Sequence, residues 1–143
     1  MKSMTNLSAS LPRIALVATG GTIAGAGAGA EGKASAAYQA AVVGAGDLIA
    51  RVPQLARLAQ LQTEQLLQID SADFTDDKLL LLARRVAALC AREDVDGVVI
   101  THGTDTLEET AYFLHITLTT AKPVVMTAAM RPASALSADG PLN

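Results

Sequence analysis

IALVATGGTI at residues 14–23 and VVITHGTDT at residues 98–106 decide the fold of this chain. Each stretch is a short apolar run, rich in Val and Ile, that ends in threonine and glycine. This pattern is typical of a buried strand that runs into a turn. In an open α/β sheet, ligands bind beyond the carboxyl ends of parallel strands. The two strand ends therefore predict a site with a threonine hydroxyl from each and, beside the second, the carboxylate of Asp105.

Helical periods alternate with strand patterns along the chain. The predicted elements are strands at 13–19, 64–69, 98–101 and 124–127, and helices at 47–51, 75–90 and from 104 or 105 to about 120. The Gly/Ala-rich segment 25–45 is predicted to be a long loop. Alternating strands and helices predict parallel pairing with right-handed crossovers. We therefore predict an α/β fold, an open and mostly parallel sheet with helices on both faces, in a Rossmann-like or flavodoxin-like topology.

Composition limits the class of protein and its partners. The chain has 143 residues, of which 50% are hydrophobic and 17% charged, which suits one domain with its own core. We assign that domain to 13–143, after a polar lead-in at 1–12. A net charge of −3 gives no electrostatic reason to expect nucleic acid or an anionic membrane as a partner. Cys90 is the sole cysteine, which excludes an intrachain disulfide and a cysteine-based metal site. It is expected to pack in the core.

The apolar runs also bear on location. None reaches the length of a membrane span. The run Ile14–Ala18 is too short for the apolar part of a signal peptide. We therefore expect a cytoplasmic protein, and a periplasmic location stays open.

Several candidate residues have both a structural and a functional interpretation. Thr22 follows paired glycines, and the pattern fits a turn residue and a nucleophilic hydroxyl equally well. A capping box accounts for Asp105 and the glutamates after it, with Thr75 in a similar role on the preceding helix. Ser71 fits an ordinary loop turn or a hydroxyl that holds a carboxylate. Tyr38 fits a solvated anchor or a group that closes over a site.

Other motifs favour a structural interpretation. His102 and His115 have no plausible catalytic partner beside them in the sequence, so both are expected to be structural. GAGAEG at residues 27–32 matches the dinucleotide fingerprint. That fingerprint must join a strand directly to a helix, whereas this one lies inside the Gly/Ala loop. A chance match is favoured, and a dinucleotide-binding domain is kept as the less favoured alternative.

Four segments closely resemble the bacterial L-asparaginase and glutaminase-asparaginase family. They are ATGGTIA at 18–24, ITHGTDTLEETAYFL at 100–114, MRP at 130–132 and SADGPLN at 137–143, and the resemblance extends over about 13–143. It implies the hydrolysis of L-asparagine, and of L-glutamine in some members, through an acyl-enzyme on Thr22. It implies no cofactor and no metal. It also implies a homo-oligomer, which we expect to be a homotetramer.

The resemblance implies roles for five residues. Tyr38 matches the loop tyrosine that closes over the site and assists Thr22. Thr104 and Asp105 match the second threonine–carboxylate pair. Asp105 would hold the α-amino group of the substrate, and Ser71 its α-carboxylate.

The chain departs from the family pattern in three ways. Ala72 stands where Gln or Glu is common, which leaves the preference between asparagine and glutamine open. The catalytic lysine of the family matches none of Lys33, Lys78 and Lys122, and the smaller C-terminal domain has no counterpart. We therefore expect an N-terminal piece of a longer enzyme that is inactive by itself. The alternative is a non-catalytic remnant that binds an amino acid, which an assay of ammonia release would distinguish.

Overall fold

The two apolar runs quoted above form the central strands of the main sheet. A computed structural model describes residues 10–27, 38–39, 41–132, 136–140 and 143, with the backbone alone at 26–27 and 38–39. Its strands are β1 (Arg13–Gly20), β2 (Ala26–Gly27), β3 (Tyr38–Gln39), β4 (Gln60–Ile69), β5 (Gly97–Thr101) and β6 (Val124–Thr127). Its helices are α1 (Ala45–Ala50), α2 (Asp76–Cys90) and α3 (Leu107–Thr117). Short 3₁₀ turns occupy Thr22–Ala24, Pro53–Arg57 and Ser71–Asp73.

Four strands pair in parallel in the order β4-β1-β5-β6. Counted along the chain within this sheet, the order is 2-1-3-4, which is the start of the flavodoxin-like order. The chain leaves β1 toward one edge and then returns past β1 to β5. Connections of a single hand must then place α1 on the opposite face from α2 and α3. The observed packing has this arrangement, and the predicted fold class is confirmed.

The sheet divides the hydrophobic core into two layers. On one face, β1 and β5 meet α2 and α3, and the buried residues there include Ala15, Val17, Leu82, Val86, Val98, Ile100 and Leu114. On the other face, Leu16 and Ala18 pack with Ala45 of α1. Successive residues of a strand point to opposite faces, so both layers follow from one apolar run. A groove of about 280 Å³ lies beside the six-residue helix α1, with Val99 and Val125 in its lining.

Some element boundaries differ from the prediction. β4 begins at Gln60 because it pairs with β1 from Arg13 onward, although its exposed polar side chains hide the strand period. α3 ends at Thr117, where the backbone of Leu118 becomes extended. β2 and β3 form a two-residue antiparallel ladder inside the segment predicted to be a loop.

Two further expectations concern the lone cysteine and the membrane. Cys90 is buried at the end of α2 and belongs to the larger core layer, as predicted. Within the described residues, no helix combines the length and apolar character needed to cross a bilayer.

Candidate active site

The carboxyl ends of β1 and β5 form the topological switch point of the sheet, where α/β proteins bind ligands. A side chain joins the two ends in addition to the strand pairing. The hydroxyl of Thr19 donates to the carbonyl oxygen of Thr101 at 2.9 Å, and both residues are buried. The loops that follow the two strands therefore begin side by side.

Glycines let these loops meet backbone to backbone. Gly21 has a φ of 75°, which glycine adopts at little cost. A Cβ on Gly21 would lie 2.4 Å from the Cα of Gly103. A Cβ on Gly103 would lie 2.3 Å from the Oγ of Ser71. The loops after β1, β4 and β5 thus touch at positions adjacent to Thr22 and Thr104.

Ser71 connects the loop after β4 to the start of α3. It is 1% exposed, and its Oγ accepts a hydrogen bond from the N–H of Asp105 at 3.1 Å. The hydroxyl of Thr106 donates to the Ser71 carbonyl at 2.9 Å. The prediction that Thr104 or Asp105 opens the helix is wrong because these contacts hold the chain outside it. α3 begins at Leu107, and its N-cap, Thr106, makes no side-chain capping bond, so the capping-box interpretation is wrong too.

The turn around Ser71 uses its neighbour for local structure. The carboxylate of Asp70 accepts a hydrogen bond from the N–H of Ala72 at 3.2 Å, which is an Asx turn. α2 begins at Asp76 after Thr75, as predicted, although the Thr75 side chain makes no capping bond. The Asx turn is therefore formed without the Ser71 hydroxyl.

Thr22 and the start of the β5–α3 loop lie on the accessible side of this junction. Thr22 begins a 3₁₀ turn and is half-buried, Thr104 is half-buried and Asp105 is exposed. The backbone of Tyr38 pairs with β2, while its side chain lies outside what the structure describes. The structure thus brings together the segments that carry Thr22, Ser71, Thr104 and Asp105, and it places Tyr38 by its backbone alone.

The segment after β3 is hydrogen-bonded to the loops that meet at Gly21 and to β4. Ala41 has a φ of 58°, and its N–H donates to the carbonyl of Gly21 at 3.2 Å. The side chain of Gln68 donates to the carbonyl of Ala41 at 2.6 Å, and Gln65 Oε1 accepts from the N–H of Ala45 at 2.9 Å. Sequence reasoning missed both glutamines. The one feature of the sequence that could have revealed them is the presence of two amide side chains in the predicted strand 64–69.

The tail after β6 folds back against the turn that follows β1. The carboxylate of Asp139 accepts from the N–H groups of Arg131 at 3.0 Å and Met130 at 3.3 Å. These backbone hydrogen bonds lower the pKa of the Asp139 carboxyl below its usual range, and the bond from Arg131 has the largest effect. The chain then reaches Gly140, where a Cβ would lie 2.9 Å from the side chain of Ile23. Asp139 and Gly140 therefore place this part of the tail against the turn that carries Thr22, a role that the sequence alone did not reveal.

His102 is completely buried directly after β5. Burial lowers the pKa of its imidazole below the usual range, which keeps the ring neutral near pH 7. His115 is exposed on α3. The two histidines thus differ, and His102 alone of the pair lies at the loop junction.

The position of Gly27 argues against the alternative of a dinucleotide-binding domain. This residue belongs to β2, which pairs in an antiparallel ladder with β3 rather than in the parallel sheet. Gly29 and Gly32 lie outside the described residues. The fingerprint requires a sheet strand that leads directly into a helix, and β2 does not belong to the sheet.

Comparison with known proteins gives the family of the chain. A family model described as "Asparaginase, N-terminal" matches residues 13–143. The chain belongs to the asparaginase family. The glutaminase-asparaginase of Pseudomonas fluorescens biotype A is 56% identical over 133 residues, which is 93% of this chain and 36% of that protein. L-asparaginase 2 of Escherichia coli K12 is 48% identical over 133 residues, or 93% of this chain and 37% of that protein.

A solved structure shows the same relationship. The crystal structure of a probable cytoplasmic L-asparaginase from Campylobacter jejuni superposes with a TM-score of 0.85 at 50% identity. The match covers 92% of this chain and 39% of that one. The chain therefore spans a little over a third of the length of the relatives it matches.

The two lysines that the structure describes, Lys78 and Lys122, both donate to backbone carbonyls. The ammonium of Lys78 donates to the carbonyl of Asp73 at 2.6 Å, and that of Lys122 donates to the carbonyl of Arg92. Lys33 lies outside the described residues. Among the described side chains, no group of three or more His, Cys, Asp and Glu is placed to hold a metal ion.

Proposed function

We propose that this chain carries the nucleophile and the substrate-binding groups of an enzyme that hydrolyses the side-chain amide of L-asparagine, with L-glutamine as a second substrate. The observation that supports it best is the convergence at one switch point of the loops that bear Thr22, Ser71, Thr104 and Asp105. The family of the chain supplies the reaction class. The preference between the two amides depends on the surroundings of Ala72, which offers no polar side chain.

In the proposed reaction, the hydroxyl oxygen of Thr22 attacks the amide carbon of the substrate. The carbon–nitrogen bond breaks, the departing nitrogen takes up the hydroxyl proton, and ammonia leaves. Water then attacks the ester on Thr22, which releases L-aspartate and returns a proton to the threonine oxygen. Tyr38, on the loop fastened beside Thr22, is the proposed proton acceptor in the first step. Thr104 and Asp105 form the second group that handles protons.

Ser71 and Asp105 are proposed to hold the charged end of the substrate. A hydroxyl has one proton and two acceptor lone pairs. The Ser71 Oγ uses its acceptor capacity on the N–H of Asp105, so the hydroxyl proton can be donated to the α-carboxylate. The exposed carboxylate of Asp105 suits the α-ammonium group. Fixing both charges orients the amide toward Thr22, and such orientation supplies part of the roughly 7–11 kcal/mol that proximity can contribute.

A chimera provides the test. Residues 13–143 replace the matching segment of the full-length P. fluorescens glutaminase-asparaginase, and ammonia release is measured with asparagine and glutamine. Thr22→Val keeps the side-chain shape and removes the hydroxyl. We expect turnover to fall by orders of magnitude, with the melting temperature and L-aspartate affinity unchanged. Thr63→Val, on the exposed side of β4, is the matched control. Turnover retained in Thr22→Val would disprove the assignment.

We further propose that the 143-residue chain by itself binds L-aspartate without releasing ammonia from asparagine. Lys78 and Lys122, the described lysines, are bonded to backbone carbonyls, so neither supplies a cation to the proton-handling pair at Thr104 and Asp105. Calorimetry with L-aspartate and an ammonia assay on the same sample measure the two properties separately. Ammonia release by this chain at the rate of the chimera would refute the proposal.

Assembly and location complete the proposed function. A homo-oligomer, with a homotetramer as the expected state, is proposed from the family. A cytoplasmic location is proposed from the similarity to the probable cytoplasmic L-asparaginase of C. jejuni. Light scattering of the chimera and of the isolated chain tests the first, and fractionation of the native host tests the second.

A further inference from the structure

The hydrogen bond of the His102 ring defines its protonation. Nδ1 lies 2.8 Å from the carbonyl oxygen of Gly103. A carbonyl oxygen only accepts, so Nδ1 carries the proton and donates it. In the neutral ring, Nε2 is then unprotonated, and it has no hydrogen-bond partner among the described atoms. Leaving a buried nitrogen without a partner is costly, and the ring accepts that cost while keeping its bond through Nδ1 to Gly103.

The ring is held from several directions. The rings of His102 and Phe74 have centroids 4.5 Å apart and a tilt of 42°. Phe74 ends the 3₁₀ turn of Ser71, to whose carbonyl its N–H donates at 3.2 Å. The backbone N–H of His102 donates to the carbonyl of Thr127 at 2.9 Å. The imidazole thus lies between the loops after β4 and β5 and has little freedom to rotate.

The orientation of one peptide unit follows from this contact. The carbonyl of Gly103 and the N–H of Thr104 belong to the same peptide, which is trans. In a planar trans peptide, the C=O and N–H bonds point in opposite directions. The carbonyl points toward the ring of His102, so the N–H of Thr104 points away from that ring. Gly21 and Ser71, in contact with Gly103, keep the peptide from shifting.

We propose that His102 is a positioning residue that fixes the Gly103–Thr104 peptide, with the N–H of Thr104 facing the oxygen of the substrate amide. That oxygen becomes negative when Thr22 attacks. A donor already aimed at the developing charge needs no reorganisation during the reaction. The catalytic part of this inference rests on the proposed function, whereas the peptide orientation does not depend on it.

The kinetic test uses the chimera with His102→Leu, His102→Asn and the control His115→Leu. Leu removes the ring donor, while the amide of Asn replaces Nδ1–H in nearly the same place. Losing one oxyanion donor lowers kcat by about 10²–10³-fold. We expect His102→Leu to lower kcat by about 10²-fold with KM nearly unchanged, and His102→Asn to recover most of the loss. The exposed His115 variant should retain the activity of the chimera.

A structural test runs on the 143-residue chain without turnover. Ring ¹⁵N chemical shifts of His102 report which nitrogen carries the proton, and the amide resonance of Thr104 reports the peptide orientation. We expect a protonated Nδ1 in the wild type, a displaced Thr104 resonance in His102→Leu, and a near-wild-type resonance in His102→Asn. The wild-type ring shift decides the matter even if His102→Leu fails to fold.

The two tests separate this inference from the proposed function. If the unsubstituted chimera releases no ammonia, the proposed function fails and the NMR results alone judge the positioning role. A wild-type ring protonated on Nε2 would overturn the inference. An unchanged Thr104 resonance in His102→Leu would also overturn it, as would equal losses of kcat and substrate affinity that Asn does not restore.

Discussion

Gly21 and Gly103 stand where two loops touch backbone to backbone, and neither position has room for a side chain. Gly21→Ala adds a Cβ 2.4 Å from the Cα of Gly103 at a φ of 75°. Overpacking of this kind costs about 1–3 kcal/mol, and the left-handed backbone adds about 1–2 kcal/mol. We expect urea denaturation to show that combined loss. Gly46→Ala in α1, where nothing lies within 4 Å, should instead stabilise the fold by about 0.5–1 kcal/mol. Similar effects at both positions would show that the loops can separate.

The buried ring of His102 predicts a dependence of stability on pH. Burial lowers the pKa of this imidazole in the folded state. The unfolded chain therefore binds a proton first as the pH falls through about 6.5. Stability from the neutral ring is complete above that pH and is lost below it, toward the folded-state pKa. His102→Leu should flatten the decline in melting temperature between about pH 7.5 and 5.5, while His115→Leu should keep the wild-type slope. Parallel declines in wild type and His102→Leu would contradict a buried neutral histidine.

Some residues of the candidate site could be placed from the sequence, whereas their contacts could not. Runs of Val and Ile that end in Thr and Gly locate Thr22 and Asp105 at strand ends, and the structure has both positions there. The bond from the N–H of Asp105 to the Oγ of Ser71 joins residues 34 apart in the chain. No local pattern encodes such a contact. The helix start was mispredicted because this contact holds the chain in another conformation.

Elements follow the sequence where their period is clear. α2 and β5 lie within one residue of the prediction because apolar spacing and bounding turns agree there. β4 is longer than predicted because its polar, half-exposed residues carry no period of two, and its partner β1 determines its length. The β2–β3 ladder has two residue pairs in a Gly/Ala segment, too few for any period to reveal. Pairing between distant segments therefore explains what propensity could not.

Gln68 predicts how firmly the segment after β3 is held. Its side chain donates to the carbonyl of Ala41, whose N–H bonds to Gly21 beside Thr22. Gln68→Ala removes one hydrogen bond, which is worth about 0.5–1.5 kcal/mol. We expect amide exchange of Ala41 and its neighbours to accelerate about two- to tenfold, with α2 unaffected. Gln60→Ala, exposed on the same strand, is the control. If exchange rises equally throughout the protein, Gln68 supports the whole fold rather than this segment.

The two ends of the sheet have different tasks in the whole molecule. Loops at the carboxyl ends of the strands form the candidate active site. At the opposite end, a pair of charged side chains joins β1 to the turn before β5. Arg13 donates through Nε at 3.1 Å and through a terminal nitrogen at 2.8 Å to the two carboxylate oxygens of Asp96. The N–H of Asp96 returns a bond to the carbonyl of Arg13 at 2.7 Å. This pair joins the start of β1 to the turn before β5, at the end of the sheet opposite the candidate site, so we expect it to act on overall stability rather than on the site.

Acid should weaken the whole fold through this pair. The hydrogen bonds and charge of Arg13 lower the pKa of Asp96 to about 2. A carboxyl group whose pKa is lowered by folding stabilises the protein above its unfolded pKa of about 4 and loses that contribution toward pH 2. Asp96→Asn should therefore melt at a lower temperature than wild type at pH 7, and the difference should vanish as the pH approaches 2. Glu93→Gln, exposed on the same turn, should match wild type throughout. A melting-temperature difference that stays constant across this range would show that Asp96 acts through its hydrogen bonds to neutral groups and not through its charge. In that case Arg13 would contribute little to holding β1 and β5 together.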